Sequence, residues 1–173
     1  MAVYASGLPP PENGTPFPSA SDLKQRIEDF GRVGENYSEA QDIALLMLDI
    51  DHFKRFNDTF GHQAGDALLR ALGILLKETT RGQDVVCRYG GEEFAFVLAG
   101  ASLDAARKRA ELLREEMKQL NVRHGGQLLG SVTLSVGIAV FPDNGESAEL
   151  LLKAADDALY RAKENGRDTI ICA

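Results

Sequence analysis

The chain has no tryptophan, only two cysteines and three methionines, and an aromatic content of 7% in 173 residues. Cys87, inside an apolar run, and Cys172, next to the end, form neither a disulfide framework nor a metal-ligand spacing. They read as buried thiols. No apolar run reaches the roughly 18 residues of a membrane helix; the longest, residues 43–50 and 132–141, are strand-sized. The first five residues lack the basic and apolar regions of a secretory leader. These absences predict a cytoplasmic location and no membrane contact by this segment. Cations are also in short supply, with 19 Lys and Arg against 26 Asp and Glu and a net charge of −7. That argues against binding long nucleic acid, whose affinity rests on many cationic contacts. A small phosphorylated ligand held by a few local cations stays open.

Proline is scarce outside one place: five of the six lie in residues 1–20, without periodicity, so that stretch reads as a poorly ordered arm or linker. The rest, 44% hydrophobic and 26% charged overall, suits a single globular domain over 21–173. Leu23, Ile27 and Phe30 give one face of a helix capped by Ser19 or Ser21 and ending near residues 31–34. Residues 43–50 form a continuous apolar run, the pattern of a central strand covered on both faces. His62-Gln-Ala-Gly-Asp66 leads into a helix with Leu68, Leu69, Leu72, Leu75 and Leu76, which runs to about Thr80. Residues 84–89 and 93–98 are two β-forming runs around Gly90-Gly91, the composition of a tight hairpin whose turn needs positive φ. Ser102 caps a helix with Leu103, Ala106, Ala110, Leu113, Met117 and Leu120 inward, and residues 122–129 read as a ragged hairpin. Residues 131–141 are a strand in which Gly137 marks a bulge or a close backbone contact. A helix from Ser147 passes through Leu150, Leu151, Ala154, Ala158 and Ala162 to Gly166, before a last strand at 169–172. This order predicts an α+β sandwich, helices packed on a sheet.

Chemistry gathers where the central strand ends. Period two puts Asp49 and Asp51 on one side of its exit, though one acid suffices for a metal. With Glu92 or Glu93 from the hairpin they make an acidic cup suited to Mg²⁺ or Mn²⁺, which takes one or two carboxylates, a carbonyl and substrate phosphates. Acids and glycines at strand ends are equally what solvated turns use. Lys163 and Arg167, four apart at the end of the last helix, and Lys54 suit a triphosphate; complementation of the helix dipole is the plainer reading of the first two.

The ordered motifs bring a family into view: Leu48-Asp-Ile-Asp-His-Phe-Lys54, Phe56-Asn-Asp58, Phe60-Gly-His62, Gly65-Asp66, Cys87-Arg-Tyr-Gly-Gly-Glu-Glu-Phe94, Ser135-Val-Gly-Ile138, Ala155-Asp156, Ala158-Leu-Tyr160 and Ala162-Lys-Glu-Asn-Gly-Arg167. Over roughly residues 40–173 the chain resembles GGDEF-domain diguanylate cyclases, with the signature written Gly90-Gly91-Glu92-Glu93-Phe94. The resemblance implies a palm-like, ferredoxin-like sandwich with a mostly antiparallel central sheet flanked by helices. It implies condensation of two GTP into cyclic di-GMP and two pyrophosphates by a homodimer, as the output module of a longer, even membrane-anchored, signalling protein. By it the Asp49 carboxylate, the Ile50 carbonyl and the Glu92 carboxylate are metal ligands, and Glu93 assists the 3′-hydroxyl. Asp66 accepts from the guanine N1 and amino donors while Asn57 reads the neighbouring edge. Phe53 and His62 line the same pocket, His62 equally well as a packed loop residue. Lys54, Lys163 and Arg167 meet the triphosphate.

Arg81-Gly-Gln-Asp84 is an RxxD, which in the family marks an inhibitory cyclic di-GMP site; arginine and aspartate match the guanine edge, and a surface ion pair is the plain alternative. An arginine that the family often adds from the next helix is replaced by Leu112, leaving Arg109 or Arg114 as substitutes. The family's opening segment is reduced to Ser6-Gly-Leu-Pro9, and Asp168 stands in place of the usual asparagine. A second reading is a catalytically weak module that binds GTP or cyclic di-GMP. A third, an adenylate-type cyclase, is disfavoured by Asp66.

Overall fold

The computed structural model describes residues 17–36 and 42–173. In chain order come α1 (Ala20–Asn36), β1 (Ile43–Ile50), α2 (Phe53–Phe60), α3 (His62–Thr79), β2 (Val85–Arg88), β3 (Glu93–Ala99), α4 (Leu103–Lys118), β4 (Arg123–His124), β5 (Gln127–Leu128), β6 (Leu134–Phe141), α5 (Ala148–Glu164) and β7 (Ile170–Cys172). The main sheet is ordered β2-β3-β1-β6-β7, antiparallel except for the β6/β7 pair, and β4 and β5 form a separate hairpin.

All eight residues of β1 are buried, as its unbroken apolar run predicts for a central strand. Its side chains alternate between two cores. Leu46 and Leu48 join Phe94, Phe96, Leu68, Leu72, Leu113 and Met117 on one face, while Leu45 and Met47 join Leu23, Ile27, Val97, Leu151 and Leu159 on the other. Each such fully buried large side chain is worth about 1.5–3 kcal/mol of transfer free energy, so the sheet is held from both sides and its strand ends are rigid platforms. At Gly137 a Cβ would lie 2.2 Å from the Ala155 carbonyl oxygen and 2.3 Å from the Leu159 nitrogen. The expected close backbone contact is therefore the crossing of α5 over β6, and it fixes where α5 delivers its last turn.

Several expectations are corrected. Helix α1 does not stop at residues 31–34 but continues to Asn36, and its cap is Ser19, which exchanges bonds with Asp22. Residues 53–60, to which the sequence pattern assigns no element, form α2, whose Phe53 and Phe56 are buried. Its Asn57, Asp58 and Thr59 are weak helix formers, so packing of the phenylalanines decides the matter. Leu103, expected inside, is 41% exposed, and Leu150 is 54% exposed. Leu103 opens α4 at its solvent-facing start, and Leu150 lies off the stripe of Leu151, Ala155 and Ala158. Most of the expected arm lies outside the described residues, but Phe17 is buried edge-on against Phe94, with ring centroids 5.9 Å apart. Both cysteines are free; burial pushes the Cys87 thiol up to about 12, whereas Cys172 is half-buried. Among the described residues no helix is long and apolar enough to cross a membrane.

Candidate active site

The chain leaves β1 through a turn in which His52 takes a left-handed φ of 58° before α2 begins. Just before it, Asp49 is 5% exposed and accepts a 2.8 Å bond from Lys163 Nζ, delivered by the last turn of α5. Lys163 also stands 4.0 Å from Glu93 Oε1. The Ile50 N–H donates to the Glu92 carbonyl at 3.4 Å, so the backbone edge of Ile50 faces the β2–β3 turn. Burial raises the Asp49 carboxyl above its ordinary range; the Lys163 bond opposes this and the Asp51 charge adds to it. Glu92 is raised by burial and then by Asp49, and Glu93 is raised chiefly by burial. Three acids crowded near one lysine are a place where more positive charge is stabilised.

The hairpin turn differs from the expected one. Neither Gly90 nor Gly91 has positive φ; among the described hairpins that role falls to Gly125 and Gly126, at 57° and 79°, between β4 and β5. The last β2–β3 pair is Arg88 with Phe94, after which Tyr89 and Gly90 both donate to the Glu93 carbonyl, at 2.9 and 3.2 Å. The connection is thus longer than a two-residue turn, and the glycines serve space instead. A Cβ on Gly90 would sit 2.8 Å from Glu93 Oε2, and one on Gly91 would meet nothing within 4 Å. Arg88 buttresses the loop through a 2.8 Å bond to the Gly91 carbonyl.

Asp51 does not share the cup with Asp49. It is 3% exposed, and it turns toward β6, where Ser135 Oγ donates to Oδ1 and Thr133 Oγ1 to Oδ2, both at 2.6 Å. Oδ2 also accepts the Asp168 N–H at 2.9 Å. Thr133 was not singled out by the sequence, and only the pairing of strands could have placed it here.

Beyond β1, α2 packs against α3, with Asn57 and Phe53 over Gly65. Asn57 Oδ1 is buried with no hydrogen-bond partner, and a Cβ on Gly65 would fall 1.8 Å from it. Phe53 closes the same corner, its Cζ 3.1 Å from that point. Asp66, one residue on, is exposed and lines a cleft of about 450 Å³ with Phe17, Leu69, Arg70, Arg88 and Phe94. His62 and Lys54 are exposed near the starts of α3 and α2. Arg167 is exposed, and its charge acts on Asp49, lowering its carboxyl.

The RxxD lies at the opposite end of the same strands. Arg81 and Asp84 exchange backbone bonds within their turn, Arg81 N–H to Asp84 Oδ2 and Asp84 N–H to the Arg81 carbonyl, both 2.9 Å. The Ala99 N–H reaches Asp84 Oδ1 at 3.3 Å. Of the two candidate arginines, Arg109 shares this cleft, 4.0 Å from Asp84 and donating to the Thr79 carbonyl. Arg114 is engaged elsewhere, with Glu111, Glu115 and Asp168.

Among the described residues no three His, Cys, Asp or Glu side chains converge into a metal cage. The Asp49 and Glu92 carboxylates with the Ile50 carbonyl are the residues that could hold Mg²⁺ here, an ion that keeps water and phosphate ligands rather than filling an all-protein cage.

A family model described as the diguanylate cyclase GGDEF domain matches residues 20–169. The chain belongs to this family. The GGDEF chain is 41% identical over 156 residues to diguanylate cyclase DgcP of Pseudomonas aeruginosa, covering 90% of this chain and 23% of the relative. It is 41% identical over 157 residues to diguanylate cyclase VdcA of Vibrio cholerae, covering 90% and 46%. It therefore spans less than half the length of either. Among solved structures, the GGDEF domain of YfiN from Pseudomonas aeruginosa superposes with a TM-score of 0.86 at 32% identity, covering 94% of this chain and 93% of that one. The GGDEF domain of DgcB from Caulobacter crescentus, solved in complex with cyclic di-GMP, gives 0.79 at 30%, covering 91% and 89%.

Proposed function

We propose that this domain condenses two GTP molecules into cyclic di-GMP and two pyrophosphates. The observation that carries the reading is the meeting, at one end of β1, of Asp49, the Ile50 backbone, the Glu92–Glu93 turn and Lys163. Asp49, the Ile50 carbonyl and Glu92 would hold Mg²⁺ or Mn²⁺, which would supply activation of the 3′-hydroxyl and neutralisation of the leaving pyrophosphate. Glu93, 4.0 Å from Lys163, would accept the proton of the attacking hydroxyl. Lys163, Arg167 and Lys54 offset the triphosphate charge.

Guanine is read at α2 and α3. The unpartnered Oδ1 of Asn57 gains a donor when the base enters, and Asp66 accepts from N1–H and the amino group while Phe53 and His62 line the pocket. Adenine would set an acceptor nitrogen against Asp66, at about 1–3 kcal/mol per unmade buried bond.

The product contains two symmetric phosphodiester bonds, so each 3′-hydroxyl must face the other nucleotide's α-phosphate. One cup holds one GTP, and the productive unit is a two-fold pair of domains. Product bound at Arg81, Asp84 and Arg109 cross-links domains in an unproductive arrangement and so lowers the rate. Incubation of the chain with GTP and Mg²⁺ over a range of protein concentrations, with chromatography of the products, tests this. Cyclic di-GMP forming with specific activity that rises with concentration is expected. Nucleotide binding without product in any dimerised form would leave a binding module in place of an enzyme.

A further inference from the structure

The hydrogen-bond partners of Asp51 tie it to the turn after α5. After α5 the chain makes three consecutive left-handed residues, Gly166 at φ 99°, Arg167 at 66° and Asp168 at 44°. Two of these are not glycine, so the surroundings must hold them there. Three restraints do so. The Arg167 N–H caps α5 through a 3.1 Å bond to the Ala162 carbonyl. The Asp168 carboxylate is gripped from outside by Arg114 and Lys118 of α4. From beneath, Asp51 accepts the Asp168 N–H and is itself locked to β6 by Thr133 and Ser135. The Arg167 side chain leaves the middle of this turn, and its own N–H is bonded to Ala162, the neighbour of the Lys163 that meets Asp49.

We propose that Asp51 is a positioning residue rather than a metal ligand: it pins the turn that carries Arg167 over the nucleotide's phosphates. The proposal rests on the GTP reading above. Both oxygens of Asp51 are already occupied, by three donors, and its N–H pairs with the Thr133 carbonyl at 2.9 Å on the β6 side. The Glu92 turn lies on the other side of β1, against β3. To bind an ion beside Asp49 the carboxylate would have to abandon two hydroxyls and a backbone N–H in a nearly dry site. As a pin it loses nothing, and a charged acceptor holds the Asp168 N–H more firmly than a neutral one.

The test measures binding of an α,β-methylene GTP analogue and of GMP, with Mg²⁺, to the whole chain. In Asp51→Ala the analogue is expected to bind about tenfold more weakly, the equivalent of one good hydrogen bond, while GMP binds as before. Asp51→Asn keeps the shape and can still accept from Asp168 by turning its amide toward Ser135, so a smaller loss of the same selectivity is expected, with faster amide exchange at residues 166–168. If Asp51→Ala does not fold, the asparagine variant carries the comparison. Combining Asp51→Asn with Arg167→Ala should add little to Arg167→Ala alone, because the pin acts through that side chain. Analogue affinity equal to wild type in folded variants overturns the proposal. So does a raised Mg²⁺ requirement in Asp51→Asn like that of Asp49→Asn, which would make Asp51 a ligand. A wild-type chain that binds neither nucleotide overturns the GTP reading itself, so the two failures are told apart.

Discussion

Asp49 and Asp84 sit at opposite ends of the same sheet, and what holds each differs. β3 runs from Glu93, opposite Asp49, to Ala99, whose N–H meets Asp84, so the two acids are separated by about 20 Å at about 3.3 Å per residue. Burial raises both carboxyls. Asp49 is bonded by an ammonium on a long four-carbon stem, Lys163. Asp84 is bonded by two backbone N–H groups and belongs to the fold of its own turn. A buried acid whose partner is a side chain is equipped for exchange, whereas one whose partners are backbone is equipped for shape. At the second end, the cations beside this acid are exposed Arg81 and neighbouring Arg109, the groups to which the proposed feedback site assigns recognition.

The sharpest way to break this contrast is to remove charge at the first end. Asp49→Asn or Glu92→Gln should lower product formation by at least about a hundredfold, since even groups behind a ligand are worth about 10–100-fold. Melting temperatures should stay close to wild type, because no backbone bond is lost. Turnover near wild type in either variant would remove the metal cup from the reading. At the next level, Asp66→Ala should shrink the preference for GTP over ATP by about tenfold or more, the size of one or two lost acceptor bonds. Titrating both nucleotides checks it, and an undiminished preference would move guanine recognition elsewhere.

The second end should respond in the opposite sense. Asp84→Ala orphans the Arg81 and Ala99 N–H groups and should cost about 1–3 kcal/mol of unfolding free energy in a urea titration. Arg81→Ala should leave stability near wild type yet relieve inhibition by added cyclic di-GMP. If Asp84→Ala were as stable as wild type, Asp84 would be no more built-in than Asp49; if inhibition persisted in Arg81→Ala, the feedback site would lie elsewhere.

Much of this layout was legible in the sequence because it follows from local pattern. The apolar run of β1, the leucine spacing of α3 and the capping serines at 102 and 147 each specify an element without tertiary help. The motif order then brought Asp49, Glu92 and Lys163 to one strand end. What escaped depends on which element lies beside which. Period two could not tell Asp49 from Asp51, because their difference lies in the partner each meets, Lys163 of α5 for Asp49 and Ser135 of β6 for Asp51. Helix α2 was missed because its phenylalanines at 53, 56 and 60 are a real signal but sit among weak helix formers. Arg109 and Arg114, five apart on α4, look alike in sequence; only the structure sends one to Asp84 and the other to Asp168.

Helix α4 thus touches both ends, and the smallest predicted effect tests its grip on the first. Burial would raise the Asp168 carboxyl, but the bonds from Lys118 and Arg114 outweigh it and hold it below the ordinary aspartate range. A lowered folded value means that the charged form contributes stability above the unfolded aspartate pKa, about 3.9, and that the contribution fades as pH falls through the depressed value. The carboxylate is 36% exposed, so the contribution is that of a surface network and small. Asp168→Asn should therefore melt a few degrees or less below wild type at neutral pH, and the gap should close in acid, where both side chains are neutral. Glu111, which shares Arg114, is present in both proteins, so its own contribution cancels in the difference. A gap that stays open in acid would mean that shape, not charge, ties α4 to the turn.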